Sequence, residues 1–289
     1  APAGTSRPPP PRWGVVVVLL AAIAVLVGLF WLVGDRVGAQ FRQLTQSIPQ
    51  ALDAFEGWVR QHAWGEFLVE QTRSLDTQRM GLFSQVTGLA SSVLATTTDI
   101  VLILVVMIFM ALEPHLYVNG LVALFPLPSR PRVREVLGDV ERALRYWLLG
   151  QGISMVIIGA ITTAGLLLLG IPLALALGVL ALVLEFIPFI GPVLAAIPAI
   201  LFAFTVGPTK AMWVALFYLA VQQIEGNLVM PFIQERVVRL PPVLTVTAAV
   251  AMAVLFGFAG LVFATPLVVA LMVLVQKVYV EDVLGDKRG

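Results

Sequence analysis

The chain has no cysteine, so disulfides, thiolate chemistry and cysteine-based metal sites are excluded, while the compartment is left open. Charge is the second shortage. Asp, Glu, Lys and Arg together make up 12% of the 289 residues, about half of the roughly 25% found in ordinary soluble domains. The net charge is +1 and the isoelectric point is near 8.4, so no basic excess points to nucleic acid as a partner. Histidine occurs only as His62 and His115, both in water-facing segments where they read as surface residues. Sequence signatures of common chemistries are missing too. There is no HExxH, no phosphate-binding loop, no GxSxG and no glycine-rich dinucleotide fingerprint after a strand. Ser91, Ser92 and Ser154 have no histidine at a matching membrane depth, which argues against intramembrane serine proteolysis. The sequence reads as a non-enzyme, with no cofactor and no metal.

Apolar side chains fill the space that charge leaves. Hydrophobic residues make up 59% of the chain, and its mean hydropathy is +0.96. A soluble body needs more polar surface than that, and the solvent that fits is a bilayer. The apolar stretches are too many and too long for a single signal peptide. The expected fold is an all-α polytopic membrane protein of about 6–8 membrane segments, by the roughly 20-residue length of a crossing. Some of those segments are broken or re-entrant helices, and the fold adds an extracytoplasmic helical arm and an interfacial amphipathic helix.

In chain order, residues 1–14 form a Pro-rich tail with Arg7 and Arg12, and 15–34 are the first span. Residues 35–90 are the arm, where Phe41, Leu44, Ile48, Leu52 and Phe55 recur at steps of three and four. That period makes one apolar stripe on a helix. Two partners for the stripe are open: a returning helix of the same arm, or a neighbouring subunit. Residues 91–112 are the second span, with Asp99 near its outer end. Residues 113–148 form a basic loop holding Arg130, Arg132, Arg134, Arg142 and Arg145, with Val133, Val136, Leu137, Val140, Leu144 and Trp147 at helical spacing. This pattern predicts a helix lying in the interface. Residues 149–280 are the membrane transport core, and 281–289 a charged tail. Arginine placement sets the orientation, because short cytoplasmic loops collect Lys and Arg. With the N-terminal tail inside, the loops at 130–145 and 236–239 and both termini are cytoplasmic; Lys210 and the arm are outside.

Within the transport core, helix rules fail at two places. Glu185, Pro188, Gly191 and Pro192 put a carboxylate and helix breakers into lipid-grade sequence. Gln222, Glu225, Gly226, Asn227 and Pro231 do the same further on, and both clusters fall at the same end of their crossings. Polar groups inside a membrane are costly unless paired or wetted, so each cluster is a candidate for the transport path or gate. Broken helices also present their ends and freed carbonyls to solutes and ions. On a helix, Gln222 pairs with Glu225 on one face and Gln223 with Asn227 on the next. The alternatives are that these groups tie helices together, or that Glu225 lies in water at the inner surface.

The sequence resembles a known family at Leu168–Pro172, Phe186–Pro192 and Gln222–Pro231, and again at Val238–Pro242 and Gly257–Pro266. In this order they are similar to the AI-2E family of bacterial transporters, from about Val15 to the end. The loop Gln40 to Gln50 is similar to a family segment as well. Members usually carry an earlier hydrophobic segment, and this chain opens on Ala1, so an N-terminally incomplete sequence is expected. The resemblance implies export of a small solute such as autoinducer-2 across the inner membrane, a role in quorum sensing, and homo-oligomers with the pentamer as the suggested form. It also implies a multi-pass protein with the N-terminus of this chain and the C-terminus cytoplasmic. A Na⁺/H⁺ antiporter of the same family is the second reading, with Glu185 or Glu225 exchanging proton and cation. A membrane scaffold is the third.

Overall fold

A computed structural model describes residues 12–61, 113–229 and 241–286, with side chains from 34 onward. The expected second half of the arm, the second span, Pro231 and the 236–239 loop lie outside the described residues. Everything described is helix or short connection: α1 (Arg12–Arg60), α2 (Pro114–Ala123), α3 (Arg130–Leu168), α4 (Ala174–Leu184), α5 (Ile190–Val206), α6 (Pro208–Ile224) and α7 (Pro242–Leu274). Wider π turns follow α6, at Glu225–Val229, and α7, at Val275–Glu281.

Lengths decide which elements cross a bilayer. Leu127–Leu168 and Pro242–Glu281 are, among the described residues, the two helical stretches long and apolar enough to do so by length and composition, with hydropathies of 1.8 and 2.6, although the second is broken at Gly257 and is not one straight rod. The 39 residues of α3 extend about 58 Å at 1.5 Å per residue, against a hydrocarbon core of about 30 Å. This corrects one expectation. The amphipathic stretch from Val133 to Trp147 is not a separate helix; it runs without a break into the apolar stretch that follows. Periodicity reports which face is apolar and is blind to whether the axis bends. The 11 residues of α4 reach only about 16 Å, too short for a crossing.

Helix α3 ends in a Schellman motif. The N–H of Ile171 bonds the carbonyl of Leu166 at 2.9 Å, and that of Gly170 the carbonyl of Leu167 at 2.9 Å. Gly170 supplies the left-handed φ of 69°, Ile171 and Leu166 bury their side chains together, and Pro172 prevents continuation. The chain then runs through α4, breaks, and returns through α5 as a helical hairpin. Phe189 at the break has φ 66°, and Gly191 lies so tightly on the Leu184 carbonyl that a Cβ would collide with it.

A second reversal occurs within α7. Residues 252 and 260 would be about 12 Å apart in a straight helix, yet a Cβ on Gly260 would fall on the Met252 carbonyl. The bend is at Gly257, with φ 62° and ψ −144°. A side chain disfavours that region, and glycine enters it freely.

Alanine and glycine let α3, α4, α5 and α6 approach closely: Ala176, Ala195, Ala199 and Ala203 are fully covered, and Gly159 lets Leu182 approach, around a core that also holds Leu166, Leu177, Phe202 and Val214. Many other large apolar side chains face outward, as at Leu168, 90% exposed, and Val254. Lipid is as apolar as leucine, so helices associate by close packing of small residues, not by hiding oil from water. The arm's stripe also finds a third partner, which the sequence did not suggest. Leu44, Ala51 and Val59 are buried, and Phe55 meets Phe204 of α5 edge-on with centroids 5.2 Å apart. Gln40 accepts a bond from the Ala176 N–H at 2.9 Å, satisfying one of the free donors at the start of α4.

At the opposite end, Arg132 near the start of α3 holds the C-terminal π turn by ion pairs to Glu281 at 3.3 Å and Asp282 at 2.9 Å, and Lys277 pairs with Glu281 at 2.8 Å. The Lys277 hydrogen bond, and then that of Arg132, hold Glu281 below the usual carboxylate range. A carboxyl whose folded value is depressed stabilises the folded arrangement above its unfolded value and loses that contribution as pH falls through the folded one. A spin label at Val283 is therefore expected to gain mobility as pH drops from about 5 to about 3, and Arg132→Gln to show that mobility at neutral pH. Equal spectra across this range would contradict the tether.

Candidate functional site

The turn after α4 places Glu185 where three helices meet. Its N–H still bonds the Ala181 carbonyl, at 2.9 Å, but the prolines beyond prevent further helix, so its own carbonyl has no partner in the hairpin. Gln151 of α3 fills that need: its side-chain amide donates to the Glu185 carbonyl at 2.5 Å. One turn along α3, the Ser154 hydroxyl donates to Glu185 Oε1 at 3.0 Å. Trp147 adds an edge-on contact to Phe186, centroids 5.6 Å apart. The break is thereby fastened to α3 through both backbone and carboxyl.

Glu225 arrives from the end of α6. The helix widens into a π turn there, a distortion frequent at functional sites, and the Glu225 carboxyl lies close enough to that of Glu185 for the two to interact electrostatically. Both are buried, at 1% and 2% exposure. Gln222 donates to Glu225 Oε2 at 3.2 Å. Asn227 turns the other way and bonds the Gln223 carbonyl at 2.9 Å and the Gln223 side-chain oxygen at 3.1 Å. The two faces read from the spacing are both present, and they separate. Gln222 and Glu225 join Glu185; Asn227 and Gly226 stay on the exposed side.

The remaining expected residues sort by role. Pro192 and Gln222 line a cavity of about 350 Å³ between α3, α4, α5 and α6, as does Glu185. Gly191 closes the hairpin, and Pro188 is buried in the turn, where its carbonyl accepts the Ile190 N–H at 2.8 Å. Four polar residues at or beside this site were missed as site members: Gln151, Ser154 and Thr162 on α3 and Tyr218 on α6. A signal for the first three existed. They fall three and eight residues apart, on one face of an otherwise apolar helix, and all are buried.

A bundle with apolar outer faces and carboxyls, amides and hydroxyls inside defines a helical membrane protein with a polar interior site. The chain belongs to the AI-2E transporter family, whose pattern it matches over residues 7–279. It is 27% identical over 292 aligned residues to the AI-2 transport protein TqsA of Escherichia coli (strain K12), covering 96% of this chain and 80% of that protein. It is also 30% identical to the "Putative transport protein MT0215" of Mycobacterium tuberculosis (strain CDC 1551 / Oshkosh), over 91% of this chain and 74% of the relative. With the "Putative transport protein YueF" of Bacillus subtilis (strain 168) it shares 24% identity, over 89% of this chain and 74% of the relative.

Replacing Gln151 by Leu leaves the Glu185 carbonyl buried without a donor, at a cost of about 1–3 kcal/mol. The thermal unfolding midpoint in detergent is expected to fall. A Gln151→Leu protein as stable as wild type would show that the fastening carries no weight.

Proposed function

We propose that the chain moves a small solute outward across the bacterial inner membrane, along a path that passes the Glu185–Glu225 pair. What supports this reading is the meeting of two buried carboxyls at two helix breaks, beside a cavity. A purely structural bundle gains little by burying two acids side by side, whereas a transporter needs groups that exchange partners. Autoinducer-2, the cargo in the name of one relative, is the first solute to try. Both termini of this chain lie in the cytoplasm on this reading, as the distribution of arginines supports. The protein works as a homo-oligomer, whose mass in detergent would exceed the 31.1 kDa of one chain.

Efflux from cells carrying wild type or Glu225→Gln tests the path. The variant is expected to lower efflux about ten-fold or more, a loss of roughly 1.4 kcal/mol or greater, within the range for a buried hydrogen bond to a charged group. Equal efflux from both would sink the assignment. One observation favours a second reading, cation/proton exchange: adjacent carboxyls can hold a proton or a small cation between them. Na⁺-driven pH change in vesicles separates the two, since a flat trace with solute efflux intact removes the exchanger.

A further inference from the structure

Among the described residues, three buried side-chain atoms have no hydrogen-bond partner: Thr162 Oγ1, Tyr218 OH and Glu185 Oε2. All three residues line the same cavity. Thr162 is fully covered and Tyr218 is 8% exposed, so neither hydroxyl is simply a surface group. Their positions give the cavity two polar ends. Thr162 lies eight residues beyond Ser154 on α3, and Tyr218 lies seven residues before Glu225 on α6. Along the helix axes, Thr162 is therefore set about 12 Å from Ser154, and the Tyr218 backbone about 10 Å from that of Glu225, at 1.5 Å per residue. Between the ends the walls are apolar: Ile158, Ile200 and Leu219 among others.

We propose that this cavity binds an elongated amphipathic amine, with its ammonium at Glu185, its apolar body against Ile158, Ile200 and Leu219, and a hydroxyl at the far end between Thr162 and Tyr218. An ionised carboxylate only accepts hydrogen bonds, and an ammonium only donates them. Nothing basic pairs with Glu185 among the described residues; its polar contacts there are Gln151, Ser154 and the Glu225 carboxyl. The hydroxyls of Thr162 and Tyr218 can each donate and accept, which suits a phenol or alcohol. A polyol fits poorly, because the middle of the cavity leaves its hydroxyls without partners. This inference rests on the transport reading and narrows it to a solute class.

Calorimetry on the full chain in detergent tests it with four probes: tyramine, phenethylamine, 2-(4-hydroxyphenyl)ethanol and sorbitol. Tyramine is expected to bind most tightly. Each single-ended probe is expected to bind about five-fold more weakly or worse, the worth of one net hydrogen bond. Sorbitol is expected not to bind. Tyr218→Phe and Thr162→Val should each weaken tyramine toward the phenethylamine level while leaving phenethylamine unchanged. Glu185→Gln should abolish the preference of phenethylamine over the neutral alcohol. The proposal is overturned if no amine binds, if sorbitol competes with tyramine, or if the hydroxyl variants affect both amines alike. The wild-type probe series decides the matter even where a variant fails to fold. Tyramine binding without movement in proteoliposomes supports the site and strikes the transport reading. Glu185-dependent efflux of another solute with no amine binding does the reverse.

Discussion

The contact on which the site depends is the one between the Gln151 amide and the Glu185 carbonyl. A helix that stops inside a membrane frees backbone groups that lipid cannot satisfy, and the stop persists only if protein supplies the partners. Here the partner is a side chain from α3, thirty-four residues earlier. With that bond and the Ser154 hydroxyl in place, the break becomes a defined turn, and Glu185 is held facing Glu225. Without them, the same prolines would leave a frayed end at which no carboxyl has a set direction.

Around this contact, small residues do the packing. Ala176, Ala195, Ala199 and Ala203 bring the backbones of the hairpin and its neighbours close, and close approach is what lets a side chain as short as Ser154 reach across. The cavity is the complement of that packing. Its walls mix Ile158, Ile200 and Leu219 with alanines such as Ala195 and Ala215, and its polar groups come from three different helices.

Much of this architecture was legible in the sequence because it is written in local chemistry. The turn at Gly170–Pro172, the break at Glu185–Pro192 and the pairing of Gln222 with Glu225 each follow from residues within one or two turns of helix. The unread parts depend on contacts distant in sequence. Gln151, Ser154 and Thr162 share one face of α3, but that spacing does not say what faces them, and Tyr218 is a lone hydroxyl in an apolar run. Asn227 looked equivalent to Glu225 by composition, and only the direction of its helix face separates them. The stripe on α1 announced a partner without naming it, since an apolar face carries no address.

The bond from Gln40 to the start of α4 has a mechanical consequence. It joins the long first helix to the start of α4, the first leg of the helical hairpin, 136 residues later, while Phe55 and Phe204 join the same helix to α5, the second leg. The open end of the hairpin is thus clamped by α1 on both legs. The closed tip is held by a few side-chain bonds around Glu185. Compliance in such a hairpin concentrates at the weaker end, as in a clamped beam, so the tip that carries the carboxyl is its more deformable part.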